Sequence, residues 1–332
     1  MVNTRKAAED AERAHVERVL RGEPVRPPEW KEVPKYGEWA DQFLKLAAAK
    51  NKPSEVASKE MVLRVHLKPA LGGLRLDAIG FAVVQDYVAA KLAGELSKKT
   101  INNHLTVLRR SLVVAKKRGL IAVVPEIEWL RAPRPELDFL DFEEAKRLVT
   151  AADGEWATMM LVALRTGLRL GELLALRWDD VDLVKGQVHV RRSVTRGVIT
   201  EPKSNRSRVV PLSEGTRRAL KAHRHLRGEL VFCTSAGRMF RKNETKHPLW
   251  RACRKAGLRR IGWHCLRHSF ASHLVMRGVA LKAVQELLGH ATIEMTMRYA
   301  HLSPHVTRDA VQLLDAPLGN QWATSAERAV SG

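Results

Sequence analysis

One stretch of this chain carries side chains that can act together on a phosphate. From residue 263 it reads W-H-C-L-R-H-S-F, then L-G-H at 288–290, then R-Y-A-H at 298–301. His264, Arg267 and His268 stand at i, i+3 and i+4, so a helix over residues 263–276 puts them on one face. Apolar residues at helical spacing support that helix. A second apolar helix is expected at 281–288, stopped by Gly289, with His290 immediately beyond. Tyr299 follows, in a chain with only 3 tyrosines. Taken singly, each residue has an ordinary explanation in packing or solvation. Together, imidazoles, a guanidinium and a phenol within forty residues describe a phosphate site with a nucleophile.

Other segments supply what such a site needs. The run T-G-L-R-L-G-E-L-L-A-L-R-W-D-D begins at Thr166, and Thr166-Gly167 breaks the preceding apolar helix. A new helix is expected near Arg169, placing it in a first turn where free N–H groups and the helix dipole favour an anion. Glu172, three residues on, can orient that guanidinium. Residues 187–194, 197–201 and 208–212 read as three short strands. Lys203 lies in the turn before the last, in P-K-S-N-R-S-R. Residues 141–144 read as a capped helix start, with Asp141 as cap and Glu144 three on.

The expected organisation is an N-terminal helix and linker at 1–32, a four-helix unit at 33–119 and a proline-rich linker at 120–137. A mixed α+β domain follows at 138–316, and then a polar tail at 317–332. The fold class is mainly α with a small β-sheet. In the helical unit, helices are expected at 36–49, 58–67 (closed by Pro69), 77–91 (capped by Asp77) and 97–117.

The chain has 332 residues, 57 Lys and Arg against 36 Asp and Glu, a formal charge of +21, and 45% hydrophobic content. That length suits two domains. The charge implies a polyanionic partner, since phosphate neutralisation drives nucleic-acid binding. Ten Lys or Arg fall in residues 91–134 and twenty in 191–260, where only four Glu offset them. Lys98, Lys99, Arg109, Arg110, Lys116, Lys117, Arg206 and Arg208 are the candidate DNA contacts. No apolar run spans a bilayer and no signal-peptide core is present, so a cytoplasmic protein is expected. Cys233, Cys253 and Cys265 lack C-x-x-C pairing and read as reduced thiols. No Walker-type loop, zinc pattern or two-metal carboxylate cluster occurs, so no cofactor is expected.

In this order, T-G-L-R-L-G-E-L-L-A-L, H-x-L-R-H, L-G-H and R-Y-A-H resemble the tyrosine recombinases of phage-integrase type, over residues 33–314. The resemblance implies a catalytic set of Arg169, Lys203, His264, Arg267, His290 and the nucleophile Tyr299, with Glu172 supporting Arg169. It implies Lys203 as the acid for the leaving 5′-oxygen, His264 as an aid in removing the phenol proton, and His290 as a phosphate hydrogen-bonder. Cys265 departs from the acidic residue many members carry there. The N-terminal helix is similar to the one that ends the arm-site-binding domain of larger integrases. The resemblance also implies a C-shaped clamp on double-stranded DNA, a homotetramer joining two sites, and a DNA-bending accessory protein as a further partner. Integration or excision of a mobile element is the expected role. Resolution of chromosome or plasmid multimers, type IB topoisomerase-like strand passage and a catalytically idle DNA-binding accessory protein are the alternatives.

Overall fold

The structure is a computed structural model. It describes residues 33–133, 136–195, 197–200 and 207–303, with Arg13, Val16, Glu17 and Arg21 ahead of them. Lys203, Arg206, most of the expected N-terminal helix and everything after residue 303 lie outside the described residues. The chain divides into two compact units, Met1–Arg134 and Pro135–Gly332.

The first unit is helical: α1 Tyr36–Ala48, α2 Pro53–Val62, α3 Lys68–Leu71, α4 Phe81–Ala93 and α5 Lys98–Lys117. Pro69 does not close the second helix as expected. One π turn, Leu63–Leu67, joins α2 to α3, and the Lys68 N–H reaches back five residues to the Leu63 carbonyl. Widening the turn relieves the clash that a proline ring makes with the carbonyl one turn back. Nor does Asp77 cap the next helix. Its carboxylate is taken by Arg75 at 2.7 Å within a 3-10 turn, and α4 begins at Phe81.

Ser97 caps α5, its hydroxyl accepting from the Thr100 N–H at 3.2 Å. Ile101, Leu105, Leu108, Leu112 and Ala115 turn the inner face of α5 into the core against Tyr36 and Trp39 of α1. Residues 121–133, expected as a linker, carry no regular secondary structure and pack onto this unit. Ile121 and Ile127 join its core, and the Asn102 side chain bonds both the N–H and the carbonyl of Leu130.

The second unit is mixed: α6 Phe142–Ala151, α7 Glu155–Thr166, α8 Leu170–Leu174, β1 Val181–Asp182, β2 Gln187–Val190, β3 Ser193–Thr195, β4 Val198–Thr200, β5 Arg208–Pro211, α9 Glu214–His223, α10 Lys246–Lys255, α11 Trp263–Met276, α12 Leu281–Leu288 and α13 Glu294–Met297. The expected cap on α6 is formed. The Glu144 N–H donates to Asp141 at 2.7 Å, and the Asp141 N–H donates to Glu144 at 3.0 Å.

The sheets are small and antiparallel, β1-β2-β5 and β3-β4. The expected strand at 187–194 splits in two: Gln187–Val190 pairs with β5, Ser193–Thr195 folds back on β4, and Arg191 and Arg192 between them belong to neither ladder. One apolar core gathers Leu148, Met160, Leu173, Val188, Val210, Phe232 and Leu266. A smaller one, Phe270, Ala271, Val275, Val284, Leu288 and Tyr299, holds α11, α12 and the Tyr299 segment together. Among the described residues no helix is long and apolar enough to cross a membrane.

Candidate active site

Helix ends build this site. The α7 helix stops at Gly167, whose φ of 62° is left-handed, and a Cβ there would lie 2.4 Å from the Phe270 ring. Only glycine meets both conditions without strain. The turn delivers Arg169 as the residue just before α8, one position earlier than the sequence suggests. The Glu172 carboxylate accepts from the Arg169 N–H and from its Nη1, each at 2.9 Å. Glu172 is 1% exposed. Burial alone pushes its carboxyl up, but the hydrogen bonds and charge of Arg208, and then Arg169, bring it down to about 2.

Arg208, expected to face DNA, turns inward instead. Its Nη1 and Nη2 donate to Glu172 at 3.1 and 2.7 Å, and its Nε donates to the Leu287 carbonyl at 2.9 Å. A buried carboxylate and a helix-end carbonyl hold this guanidinium, whose side chain is 8% exposed.

Arg267 is 1% exposed. Its Nη1 donates to the Gly167 carbonyl at 2.6 Å and its Nη2 to the Leu288 carbonyl at 2.7 Å. These are the carboxyl ends of α7 and α12, where a cation also satisfies the helix dipole. Burial, followed by the Arg169 charge, lowers Arg267 to about 9, with Glu172 opposing. Three guanidinium groups gather around one carboxylate, leaving an excess of positive charge that complements a phosphodiester.

Gly289 ends α12 as expected, with a φ of 63°. Beyond it, His290 Nδ1 meets Thr296 Oγ1 at 2.9 Å. Burial and the charges of Arg267, Arg169 and Arg208 push this imidazole down to about 3, so it is neutral at pH 7. With Nδ1 engaged by Thr296, Nε2 is the nitrogen left to meet a phosphate oxygen.

Tyr299 is 1% exposed, within the smaller apolar core. Its hydroxyl lies 2.6 Å from His268 Nδ1. The sequence places His268 in the cluster, but the implied catalytic set does not include it. Its only signal is its place beside Arg267, one turn after His264. The His264 ring stands edge-on to His268 at 4.5 Å and is itself exposed. Burial, then the charges of His264, Arg298 and Arg267, hold His268 down to about 4. Burial raises the Tyr299 phenol, against Arg298 and Arg267. At neutral pH the phenol is therefore the donor and His268 Nδ1 the acceptor. Cys265 is a buried thiol pushed up to about 12, by burial first and the Asp138 charge second.

On α5 the basic candidates are all exposed. Lys98, Arg109 and Lys116 are 11 and 7 residues apart and lie in one line along the helix. Lys99, Arg110 and Lys117 make a parallel line one position round.

Residues 138–305 match the phage integrase family. A tyrosine recombinase XerC of Xanthomonas axonopodis pv. citri is 34% identical over 233 residues, 67% of this chain and 73% of that protein. Among solved structures, the Tn1549 transposon integrase in complex with transposon right end DNA is similar with a TM-score of 0.74 and 21% identity. It covers 85% of this chain and 100% of that one. A lambda integrase tetramer bound to a Holliday junction is similar with a TM-score of 0.68 and 17% identity, over 87% of this chain and 85% of that one. The family match, over the segment that carries Arg169, Arg267, His290 and Tyr299, makes this chain a member of the phage integrase family of tyrosine recombinases, enzymes that cleave and rejoin DNA.

Proposed function

We propose that this recombinase integrates or excises a mobile element by cutting DNA through a 3′-phosphotyrosine at Tyr299. The observation that carries the reading is the convergence of Arg169, held by the buried Glu172 carboxylate, and Arg267, held by two helix-end carbonyls, on His290, with the covered phenol in the turn after α13 bonded to His268. In the cleavage step, Tyr299 Oη bonds to the scissile phosphorus and the bond to the 5′-oxygen breaks. The phenol proton passes to His268, which already accepts from that hydroxyl, and His264 beside it carries the proton outward. Lys203 protonates the leaving 5′-oxygen, the role the family resemblance gives it. Arg169 and Arg267 stabilise charge on the non-bridging oxygens, and His290 donates to one of them. The ester to tyrosine conserves the energy of the broken bond, so the reverse attack by a 5′-hydroxyl rejoins the strand. Because the phenol is covered, attack also requires residues 294–302 to shift as the phosphate arrives.

Duplex DNA is the substrate, gripped through the basic lines of α5 in a helical DNA-binding domain. A homotetramer joins two sites, in keeping with the lambda integrase tetramer on a Holliday junction. The transposon and lambda integrases among the solved neighbours support the mobile-element role.

The test is a nicked suicide substrate, on which cleavage cannot reverse. Wild type should accumulate a covalent adduct, and Tyr299→Phe should bind the DNA without forming one. An adduct with the Phe variant refutes the nucleophile. Supercoil relaxation without exchange between two sites would refute the recombinase role and leave only strand passage.

A further inference from the structure

We propose that Arg208 is a positioning residue for catalysis, tying the arginine half of the site to the histidine half. The inference rests on the reading of Arg169 and His290 given above. Arg208 leaves β5 and spends its whole guanidinium on two elements. Two nitrogens clasp Glu172 of α8, the carboxylate that also fixes Arg169. The third donates to the Leu287 carbonyl in the last turn of α12, three residues before His290. The same guanidinium closes over Gly289, where a Cβ would lie 2.9 Å from the Arg208 Cδ.

One planar group thus fixes how far α8 stands from the end of α12. No other residue type offers a bidentate fork and a third donor at right angles to the stem. Arg208 acts through Arg169 and His290 and does not itself meet the phosphate. A lysine keeps the charge but has no fork, so both halves of the site loosen.

The experiment uses the full chain and measures single-turnover cleavage of the suicide substrate at saturating DNA. Arg208→Lys is expected to cleave on the order of 10²-fold slower, the scale of a misplacement near 1 Å. Duplex affinity and its salt slope should not change. On a methylphosphonate at the scissile position, which lacks the negative charge Arg169 must meet, the Arg208→Lys and Arg169→Ala defects should both shrink. The double variant should be less impaired than the product of the two single defects, because part of the Arg208 effect runs through Arg169.

Glu172→Asp, which retracts the same carboxylate by one methylene, gives a second reading of the same defect if Arg208→Lys fails to fold. A normal rate with weaker binding and a salt slope reduced by about 0.9 makes Arg208 a phosphate contact and overturns the proposal. A defect undiminished on the methylphosphonate makes it general scaffolding and overturns it too. An adduct from Tyr299→Phe would sink the underlying site reading. A silent Arg208→Lys beside an inactive Tyr299→Phe would sink this inference alone.

Discussion

Replacing Glu172 with Gln keeps the shape of the side chain and removes the one negative charge among Arg169, Arg208 and Arg267. The carboxyl falls from its ordinary value of 4.5 to about 2 on folding. At about 1.4 kcal/mol for each tenfold change in acidity, its ionisation stabilises the fold by about 3 kcal/mol at neutral pH. The same size is expected for leaving a buried partner uncompensated. The depressed value means that the folded chain binds fewer protons there than the unfolded one. The stabilisation is fully present above pH 4.5 and is lost as pH falls through about 2. Between pH 5 and pH 3 it should drop from about 3 to about 1.5 kcal/mol.

Denaturant unfolding of wild type and Glu172→Gln, followed by tryptophan fluorescence at several pH values, measures the difference directly. Every other titrating group is common to both proteins and cancels. The variant should be about 3 kcal/mol less stable at pH 7, a melting shift of roughly 6–12 °C for a unit of this size. The two curves should converge as acid is added. Parallel curves, or a difference below about 1 kcal/mol at pH 7, would refute the reasoning that Glu172 is the anionic keystone of the arginines.

Three further outcomes are expected. Lys203→Ala should lose cleavage on ordinary DNA and regain it on a 5′-bridging phosphorothiolate, whose sulfur leaves without a proton; failure to regain it would move the acid elsewhere. Alanine at Lys98, Arg109 and Lys116 together should lower the slope of log K against log salt by about 0.9 for each phosphate that these side chains neutralise, and an unchanged slope would remove this line of α5 from the DNA. His268 and His290, held down to about 4 and about 3, bind fewer protons folded than unfolded. Stability should therefore fall as pH drops below 6.5, and His268→Gln should flatten that fall between pH 6.5 and 5, as read by the same denaturation.

Local rules were legible in the sequence wherever the answer is local. The Asp141–Glu144 cap and the Gly289 stop need only neighbours in the chain, and both are formed. Pro69 and Asp77 misled for the same reason. A π turn upstream absorbs the proline, and Arg75 takes the carboxylate. The inward turn of Arg208 had no local signal, since its partners lie 36 and 79 residues away. The bond between His268 and Tyr299 spans 31 residues, and helical spacing could place His268 beside His264 but not against the phenol. Motif order pointed to the family, while the roles within the site depend on pairings that only folding brings together.

Arg267 reaches across 100 residues to one carbonyl and 21 to another, and it addresses main chain at both ends. Every amino acid presents the same carbonyl, so this grip is indifferent to which apolar side chain stands at Leu288. It is acutely sensitive to helix length. One residue inserted into α12 would rotate the terminal carbonyl by about 100° and advance it by about 1.5 Å. The segment at 281–288 should therefore tolerate exchange of its exposed side chains, such as Lys282 and Glu286, and reject any insertion or deletion. Its count of residues is fixed more firmly than its spelling.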